Sequence, residues 1–210
     1  MVYRPTEKTE ARKAAMRQRI LDASLLLLST GGFGSVTIGA VAREAGIATG
    51  AVYKHFESKA QLCAEVFRGA TERELTVVRD NALAQGAPSI RLLNAIAAFS
   101  ARAIRGRRLA YALIAEPVDP LVDEERLRYR RAYADIFQQL VEDGIRAGEF
   151  PDQDASVSAA ALVGVISEAL VGPLTWAGAV EPAIVKPDLI RSIQAFCLRA
   201  VAVRDPASPG

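Results

Sequence analysis

Residues Thr37–Phe56, TIGAVAREAGIATGAVYKHF, decide how the beginning of this chain folds. Thr37 is a favourable N-cap, and the apolar residues behind it recur at helical spacing: Ile38, Val41, Ala42 and Ala45. Gly46 ends this helix after two turns, and a second short helix is expected over Thr49–Phe56. Two short helices joined by a glycine turn predict a helix-turn-helix, a motif whose second helix lies in the DNA major groove.

The second of these helices has two different faces. Val52 and Phe56, at i and i+4, form its buried face. Thr49 and Tyr53 share another face, with Gly50 and Lys54 beside them, and these side chains can be presented outward. We therefore expect the outward face to meet DNA.

Helices are predicted for almost the whole chain, because Gly or Pro separates blocks of helix length and strand-like alternation is absent. The first helix is expected from about Thr9 to Thr30, and Gly31-Gly32 ends it. A long fourth helix starts at Ser58, where Ser58 and Gln61 form an S-x-x-Q capping box. Later helices are expected over 89–105, 107–115, 122–147, 155–179 and 187–203. The predicted fold is all-α with about nine helices: a small basic bundle over 1–60, a larger bundle over 61–204 and a disordered tail over 205–210.

Composition is that of a soluble globular protein, with 50% apolar and 24% charged residues in 210. Lys and Arg exceed Asp and Glu by nine to five in residues 1–59, but not in the remainder, which favours a polyanion as partner. The two cysteines, Cys63 and Cys197, lack metal-ligand spacing, so free thiols in a reducing cytoplasm are expected, with no metal and no cofactor. The polar, basic beginning predicts no signal peptide.

One segment is long and apolar enough to suggest a membrane span. Residues 159–180 contain Glu168 as their only charge. They consist largely of Ala and Gly, however, and Gly172-Pro173 interrupts them. A close-packed helix inside the protein or at a dimer interface explains them better, so no membrane partner is expected.

The block from Ile20 to Val66 resembles the DNA-binding pattern of the tetracycline-repressor (TetR) family. The resemblance is carried by I-L-D-A at Ile20, G-G-F at Gly31, T-x-x-x-V-A-x-x-A-G-I at Thr37 and Y-K-H-F-x-S-K at Tyr53. This composite is specific, and it covers roughly a quarter of the chain; the rest is similar to the family only in length, helical character and helix count. The resemblance implies a homodimeric transcriptional regulator that binds a near-palindromic operator in double-stranded DNA and responds to an unknown small-molecule ligand.

Residue by residue, the resemblance implies which side chains contact DNA. Thr37 would meet a phosphate at the start of the second helix, and Thr49 and Gly50 would face bases. Backbone phosphates would be contacted by Tyr53 and His55, with Lys54 beside them, and by Lys59 at the start of the fourth helix.

Two features qualify these roles. Ala48 stands where the family has Ser or Thr, so the recognition helix lacks a capping oxygen. The basic arm could reach DNA or be a solvated tail, and we favour DNA contact for Arg12 and Arg17.

The resemblance also implies that the larger bundle dimerises through its last two long helices and encloses a ligand cavity. The apolar faces predicted to form the interface comprise Ala159, Leu162, Val163, Ile166 and Leu170 with Ile193, Phe196 and Ala200. The residues predicted to line the cavity are Phe99, Arg102, Tyr111, Ile114, Tyr133, Phe137, Glu168 and Trp176. Glu168 is chosen because a carboxylate in an apolar helix needs a partner, although a bridge to Arg102 or Arg105, or an exposed position, is an alternative.

The resemblance further implies a repressor that a ligand releases from its operator, through a shift of the fourth helix. One alternative is an activator or a DNA binder without a ligand, which a closed bundle with no internal cavity would favour. A second is a helical enzyme or carrier. No paired acid and base, nucleophile with a base, phosphate loop or metal cluster is recognisable in the sequence, so we expect no enzyme.

Overall fold

The computed structural model describes residues 7–175 and 188–202. In this part of the chain it contains nine α-helices, one short 3-10 turn at Phe33–Ser35 and no strand. The all-α prediction is therefore confirmed. The helices are α1 Glu7–Gly31, α2 Ile38–Glu44, α3 Thr49–Val52, α4 Lys59–Ala82, α5 Pro88–Arg105, α6 Arg107–Ile114, α7 Pro120–Arg146, α8 Ala155–Leu174 and α9 Leu189–Ala202. The predicted tail over 205–210 lies outside the described residues.

Local capping signals set where the first helices begin. The Thr37 hydroxyl accepts a hydrogen bond from the Ala40 N–H at 3.2 Å, as expected for an N-cap of α2. Ser58 accepts from the Gln61 N–H at 3.1 Å, while the Gln61 side chain accepts from the Glu57 N–H at 2.6 Å. The capping box is confirmed, with its return bond one residue earlier than the motif predicts.

Two apolar cores hold the helices together, and α4 contributes to both. The N-terminal core includes Ile20, Leu28, Val41, Val52, Phe56, Leu62 and Phe67. The C-terminal core includes Val78, Ala82, Leu92, Ile96, Leu140, Leu162 and Leu170. Helix α4 thus runs from one core to the other without interruption. The predicted domain boundary at residue 60 stays a prediction; it falls in the first turn of α4.

Helix α8 is long and apolar enough to cross a bilayer, by length and composition alone. In the structure it packs against α7 in the C-terminal core, with Ala159, Leu162, Ile166, Leu170 and Leu174 buried. Its other faces carry mainly small residues. One face of the helix therefore belongs to the C-terminal core.

Candidate nucleic-acid interface and ligand cavity

The segment Thr49–Lys54 projects from the N-terminal core. Val52 and Phe56 are 0% and 1% exposed and fix it to the core, whereas Thr49, Gly50 and Lys54 are exposed and Tyr53 is 55% exposed. A Cβ added at Gly50 would meet no atom within 4 Å, so another molecule can approach the backbone there. Outward presentation of this face agrees with the sequence analysis.

The recognition helix is shorter than predicted, since α3 ends at Val52 rather than Phe56. Ala48 supplies no side-chain cap to its start. Beyond Val52 the chain tightens into a turn, with His55 and Phe56 N–H groups both donating to the Val52 carbonyl at 2.9 and 3.1 Å. This turn brings Phe56 back into the core, which ends the helix after one turn.

Two further predicted phosphate contacts lie at helix N-termini. Thr37 is exposed at the N-cap of α2, and Lys59 is exposed as the first residue of α4. Free N–H groups and the helix dipole make both ends favourable for an anion. The structure thus leaves both side chains accessible, and their contact with DNA stays a prediction.

His55 is half-buried beside three cations. Burial lowers the pKa of its imidazole, and the charges of Lys13, Arg17 and Lys54 lower it further. Its Nδ1 atom is buried and has no hydrogen-bond partner among the residues that the structure describes. The ring is therefore mainly neutral at pH 7, and the surrounding cations mark this part of the N-terminal domain as electropositive.

The two arginines predicted to contact DNA differ in their surroundings. Arg12 is exposed. Arg17 forms an ion pair with Glu65 of α4, and its guanidinium lies 4.8 Å from the centre of the Phe56 ring. Arg17 thus connects α1 to α4 through its ion pair with Glu65. Its contact with DNA stays a prediction.

A cavity of about 400 Å³ lies between α4, α5, α6, α7 and α8. The predicted cavity residues that line it are Phe99, Arg102, Ile114, Tyr133 and Phe137. Phe99 and Tyr133 meet edge to face, with ring centres 5.6 Å apart. Burial raises the pKa of Tyr133, so its phenol stays a protonated donor. The cavity has the size and apolar, aromatic character of a small-molecule site.

One wall of the cavity, contributed by α4, was not predicted from the sequence. Phe67, Thr71, Glu74 and Val78 line the cavity from this helix. Their i, i+4, i+7, i+11 spacing places them on one face, and this pattern is the signal that could have identified them. Glu74 accepts two hydrogen bonds from Arg102, at 2.6 and 2.8 Å, so Arg102 pairs with Glu74 and not with Glu168.

Three predicted cavity residues are not part of the described wall. Glu168 is exposed on the opposite side of α8, in a shallow groove against α9, so its assignment to the cavity is wrong. Tyr111 packs on the C-terminal core and lies near the guanidinium of Arg108 instead. Trp176 lies outside the described residues.

Most of the predicted dimer interface is also wrong. Ala159, Leu162, Ile166, Leu170 and Ile193 are buried in the C-terminal core of this same chain, and Val163 lines the cavity together with Ile166. These side chains cannot meet a partner without opening that core. Of the predicted set, only Phe196, 52% exposed, and Ala200 are exposed. The accessible stripe of α8 carries different residues: Val157, Ala161, Gly164, Glu168 and Gly172.

Helix α6 connects the cavity to the end of α1. Leu109, Ala110 and Leu113 face the cavity from this helix. On its other side, the Arg108 guanidinium donates to the Gly31 carbonyl at 2.7 Å and forms an ion pair with Glu116 at 3.2 Å. A change in cavity shape that moves α6 would therefore also displace the end of α1.

The described residues contain no group of three His, Cys, Asp or Glu side chains that could hold a metal ion. Cys63 and Cys197 are both buried thiols, and burial raises the pKa of each to about 11. Both are therefore protonated and weakly nucleophilic at pH 7.

Comparison with known proteins matches both halves of the chain. A family model described as bacterial regulatory proteins, tetR family, matches residues 20–66, and one described as the tetracyclin repressor-like C-terminal domain matches residues 85–170. The HTH-type transcriptional repressor KstR2 of Rhodococcus jostii is 29% identical over 150 residues, which cover 70% of this chain and 72% of KstR2. The repressor KstR of Mycolicibacterium smegmatis is 41% identical over 76 residues, 36% of this chain and 37% of KstR.

Solved structures show the same fold. The transcriptional regulator FadR from Bacillus subtilis, determined in complex with stearoyl-CoA, superimposes with a TM-score of 0.71. The alignment covers 88% of this chain and 97% of FadR, with 16% sequence identity. The arrangement of the helices is therefore shared at a level of identity where few side chains are.

Proposed function

The chain belongs to the tetR family of bacterial regulatory proteins, and we propose that it is a homodimeric cytoplasmic repressor whose hold on operator DNA is released by a small-molecule ligand. One observation carries the proposal: an exposed, core-anchored recognition segment at Thr49–Lys54 is combined with an apolar cavity behind it. The cavity favours this function over a regulator without a ligand. The name of KstR2, a repressor, supports the direction of the response.

The DNA contacts follow from the exposed side chains of the N-terminal domain. Thr49 and Gly50 are proposed to face bases, because their small size lets α3 approach the major groove closely. Tyr53, Lys54 and Lys59 are proposed to hold phosphates on either side, and the half-buried His55 adds a donor near them. The electropositive surroundings of His55 support this assignment.

Dimerisation is proposed through the accessible faces of α8 and α9. The stripe of small residues on α8, with Phe196 beside it on α9, permits two such helix pairs to approach closely. Gly164 is exposed and a Cβ there would meet nothing within 4 Å. Gly164→Trp should therefore yield a folded monomer in sedimentation velocity, whereas Gly69→Trp, the same change at an exposed glycine of α4, should leave the dimer intact. A dimeric Gly164→Trp protein would place the interface elsewhere.

Ligand occupancy is proposed to reach the DNA by two routes. Helix α4 lines the cavity with Phe67–Val78 and carries Lys59 at its other end. Helix α6 lines the cavity and holds the end of α1 through Arg108. Half-sites on B-DNA lie about 34–36 Å apart, so a shift of a few ångströms between two recognition segments lowers affinity.

The proposal is tested by selecting genomic fragments that the protein retains at physiological salt and mapping the protected bases. We expect a near-palindrome with two half-sites, protected by the wild-type protein and lost with Tyr53→Ala. A metabolite panel added to the protein–operator complex should contain a compound that releases the DNA. Retention of no fragment, or equal retention by the Tyr53→Ala protein, would exclude the proposed function.

A further inference from the structure

The charged groups on the cavity wall are predominantly cationic. Among the described residues, the lining contains one carboxylate, that of Glu74, and four guanidinium groups: Arg102, Arg105, Arg126 and Arg130. An apolar cavity with this balance attracts a negatively charged molecule.

Two of the four arginines are already committed to the protein. Arg102 is held by Glu74 in a two-point hydrogen-bonded pair. Arg126 donates to the Leu113 and Glu116 carbonyls at 3.0 and 2.8 Å and to Asp123 at 3.1 Å. The Arg102 pair connects α5 to α4, and the Arg126 contacts hold the C-terminal end of α6 against α7. Both arginines therefore have structural roles.

The other two arginines have no such contact within the part of the chain that the structure describes. Arg105 is the last residue of α5 and Arg130 lies in the middle of α7; both side chains are exposed while lining the cavity. No hydrogen bond or ion pair joins either of them to the described part of the chain. They therefore lie where the cavity opens to solvent, with their donors available to an incoming group.

Among the described residues that line the cavity, one buried side-chain polar group has no hydrogen-bond partner. The Thr71 hydroxyl is buried without a hydrogen-bond partner, and the residue is only 6% exposed. Around it the wall is aromatic and aliphatic, with Phe67, Phe99 and Phe137 among the lining residues. A hydroxyl at this position on the wall can exchange a hydrogen bond with a polar atom of a molecule in the cavity.

We propose that the ligand of this cavity is an amphiphilic anion. Its apolar body fills the space between α4, α5, α7 and α8, and its acidic group is bound at the opening by Arg105 and Arg130. This inference rests on the proposed function for its regulatory meaning, but the binding itself does not depend on DNA. Two sources supply such a group: a carboxylate attached directly to the apolar body, and the phosphates of a larger carrier.

The charge preference can be measured with two dyes of similar shape. 8-Anilinonaphthalene-1-sulfonate is anionic and N-phenyl-1-naphthylamine is neutral, and both become fluorescent in apolar cavities. The variant Arg105→Gln/Arg130→Gln removes both guanidinium groups that are proposed to bind the acidic group. Arg131→Gln, at an exposed neighbour on α7 that does not line the cavity, is the control for a general change of charge.

We expect the double variant to bind the sulfonate about tenfold more weakly, since two screened charge-assisted contacts are lost, and to bind the neutral dye unchanged. Arg131→Gln should bind both dyes as the wild type does. An unchanged affinity of the double variant for the sulfonate, or an equal loss for both dyes, would overturn the proposal.

Competition then distinguishes the two sources of the anion. Displacement of the sulfonate by hexadecanoate assigns a carboxylate at the opening, and displacement by hexadecanoyl-CoA alone assigns the carrier phosphates. The proposal would be overturned if the neutral methyl hexadecanoate displaced the sulfonate as strongly as the acid does. It would also be overturned if neither hexadecanoate nor hexadecanoyl-CoA displaced the sulfonate. Because the double variant keeps the whole recognition segment, its DNA binding without ligand should equal that of the wild type. Absence of DNA binding by the wild type would instead exclude the proposed function and leave the dye result intact.

Discussion

Replacing Lys59 by Gln gives a quantitative test of the DNA-bound arrangement. Lys59 is exposed at the first position of α4, and the cap that starts the helix belongs to Ser58, so the substitution removes a charge without removing the cap. Each phosphate contact contributes about 0.9 to the slope of log K against log salt concentration. A dimer loses two contacts, so the slope should become shallower by about 1.8. If the two contacts contribute nothing to the affinity at 1 M salt, their loss lowers the affinity at 0.1 M salt about 60-fold.

The assay is a fluorescence-anisotropy titration of a labelled duplex at four or five salt concentrations. Arg73→Gln is the control, because it makes the same charge change at an exposed position of α4, about 21 Å along the helix from Lys59. We expect its slope to equal that of the wild type. A slope change of about 0.9 for Lys59→Gln would show that one subunit contacts the DNA. An unchanged slope, or an equal change in both variants, would refute the placement of α4 against the backbone.

Three further changes test other parts of the structure. Arg108→Met removes the contact between α6 and the end of α1. The effect of a ligand on operator affinity, typically about 5- to 150-fold, should therefore shrink while ligand binding persists. Titrations of operator with and without ligand measure this effect, and an undiminished effect would contradict transmission through α6. His55 has a lowered pKa in the free protein, and a nearby DNA phosphate would raise that pKa, so DNA binding would take up a proton. The affinity for DNA should therefore rise as pH falls through the interval between the pKa of His55 in the free protein, which is below 6.5, and its pKa in the complex. The same titrations of His55→Gln should lack this rise, and its persistence would assign the proton elsewhere. Gly144→Ala would drive a Cβ into the buried Phe150 ring and should lower the free energy of unfolding by about 1–3 kcal/mol. Gly69→Ala, with open space around it, should raise the free energy of unfolding by about 0.5–1 kcal/mol. Denaturant unfolding measures both, and equal effects would contradict the packing of Gly144 against Phe150.

Several features of the site were predictable because their signals are local. Thr37, Gly46 and Ser58 set helix starts and stops through hydrogen bonds or backbone angles within a few residues. Val52 and Phe56 were correctly placed in the core, since their spacing puts both on one face of a helix. The recognition helix was nevertheless predicted too long, because the turn beyond Val52 is imposed by the path of the chain into α4.

The cavity was predictable only in part. Aromatic residues of α5 and α7 were identified by type, but the same residue types fill ordinary cores, and Tyr111 illustrates this by packing on the core instead. The α4 wall was overlooked although its spacing was visible. Arg105 and Arg130 carry no signal in the sequence, because an exposed arginine on a helix looks the same whether or not a cavity opens beside it.

The sequence by itself determined the helix-turn-helix, the all-α fold and the approximate helix limits, because capping, glycine turns and apolar spacing act over a few residues. Tertiary structure alone decided how α8 is rotated. Its surface is apolar or small on nearly every side, so periodicity could not tell the buried Leu162 and Ile166 from the accessible Ala161 and Gly164. Only the packing of α8 against α7 assigned one face to the core and left another accessible, because burial depends on what covers a side chain and not on its own type.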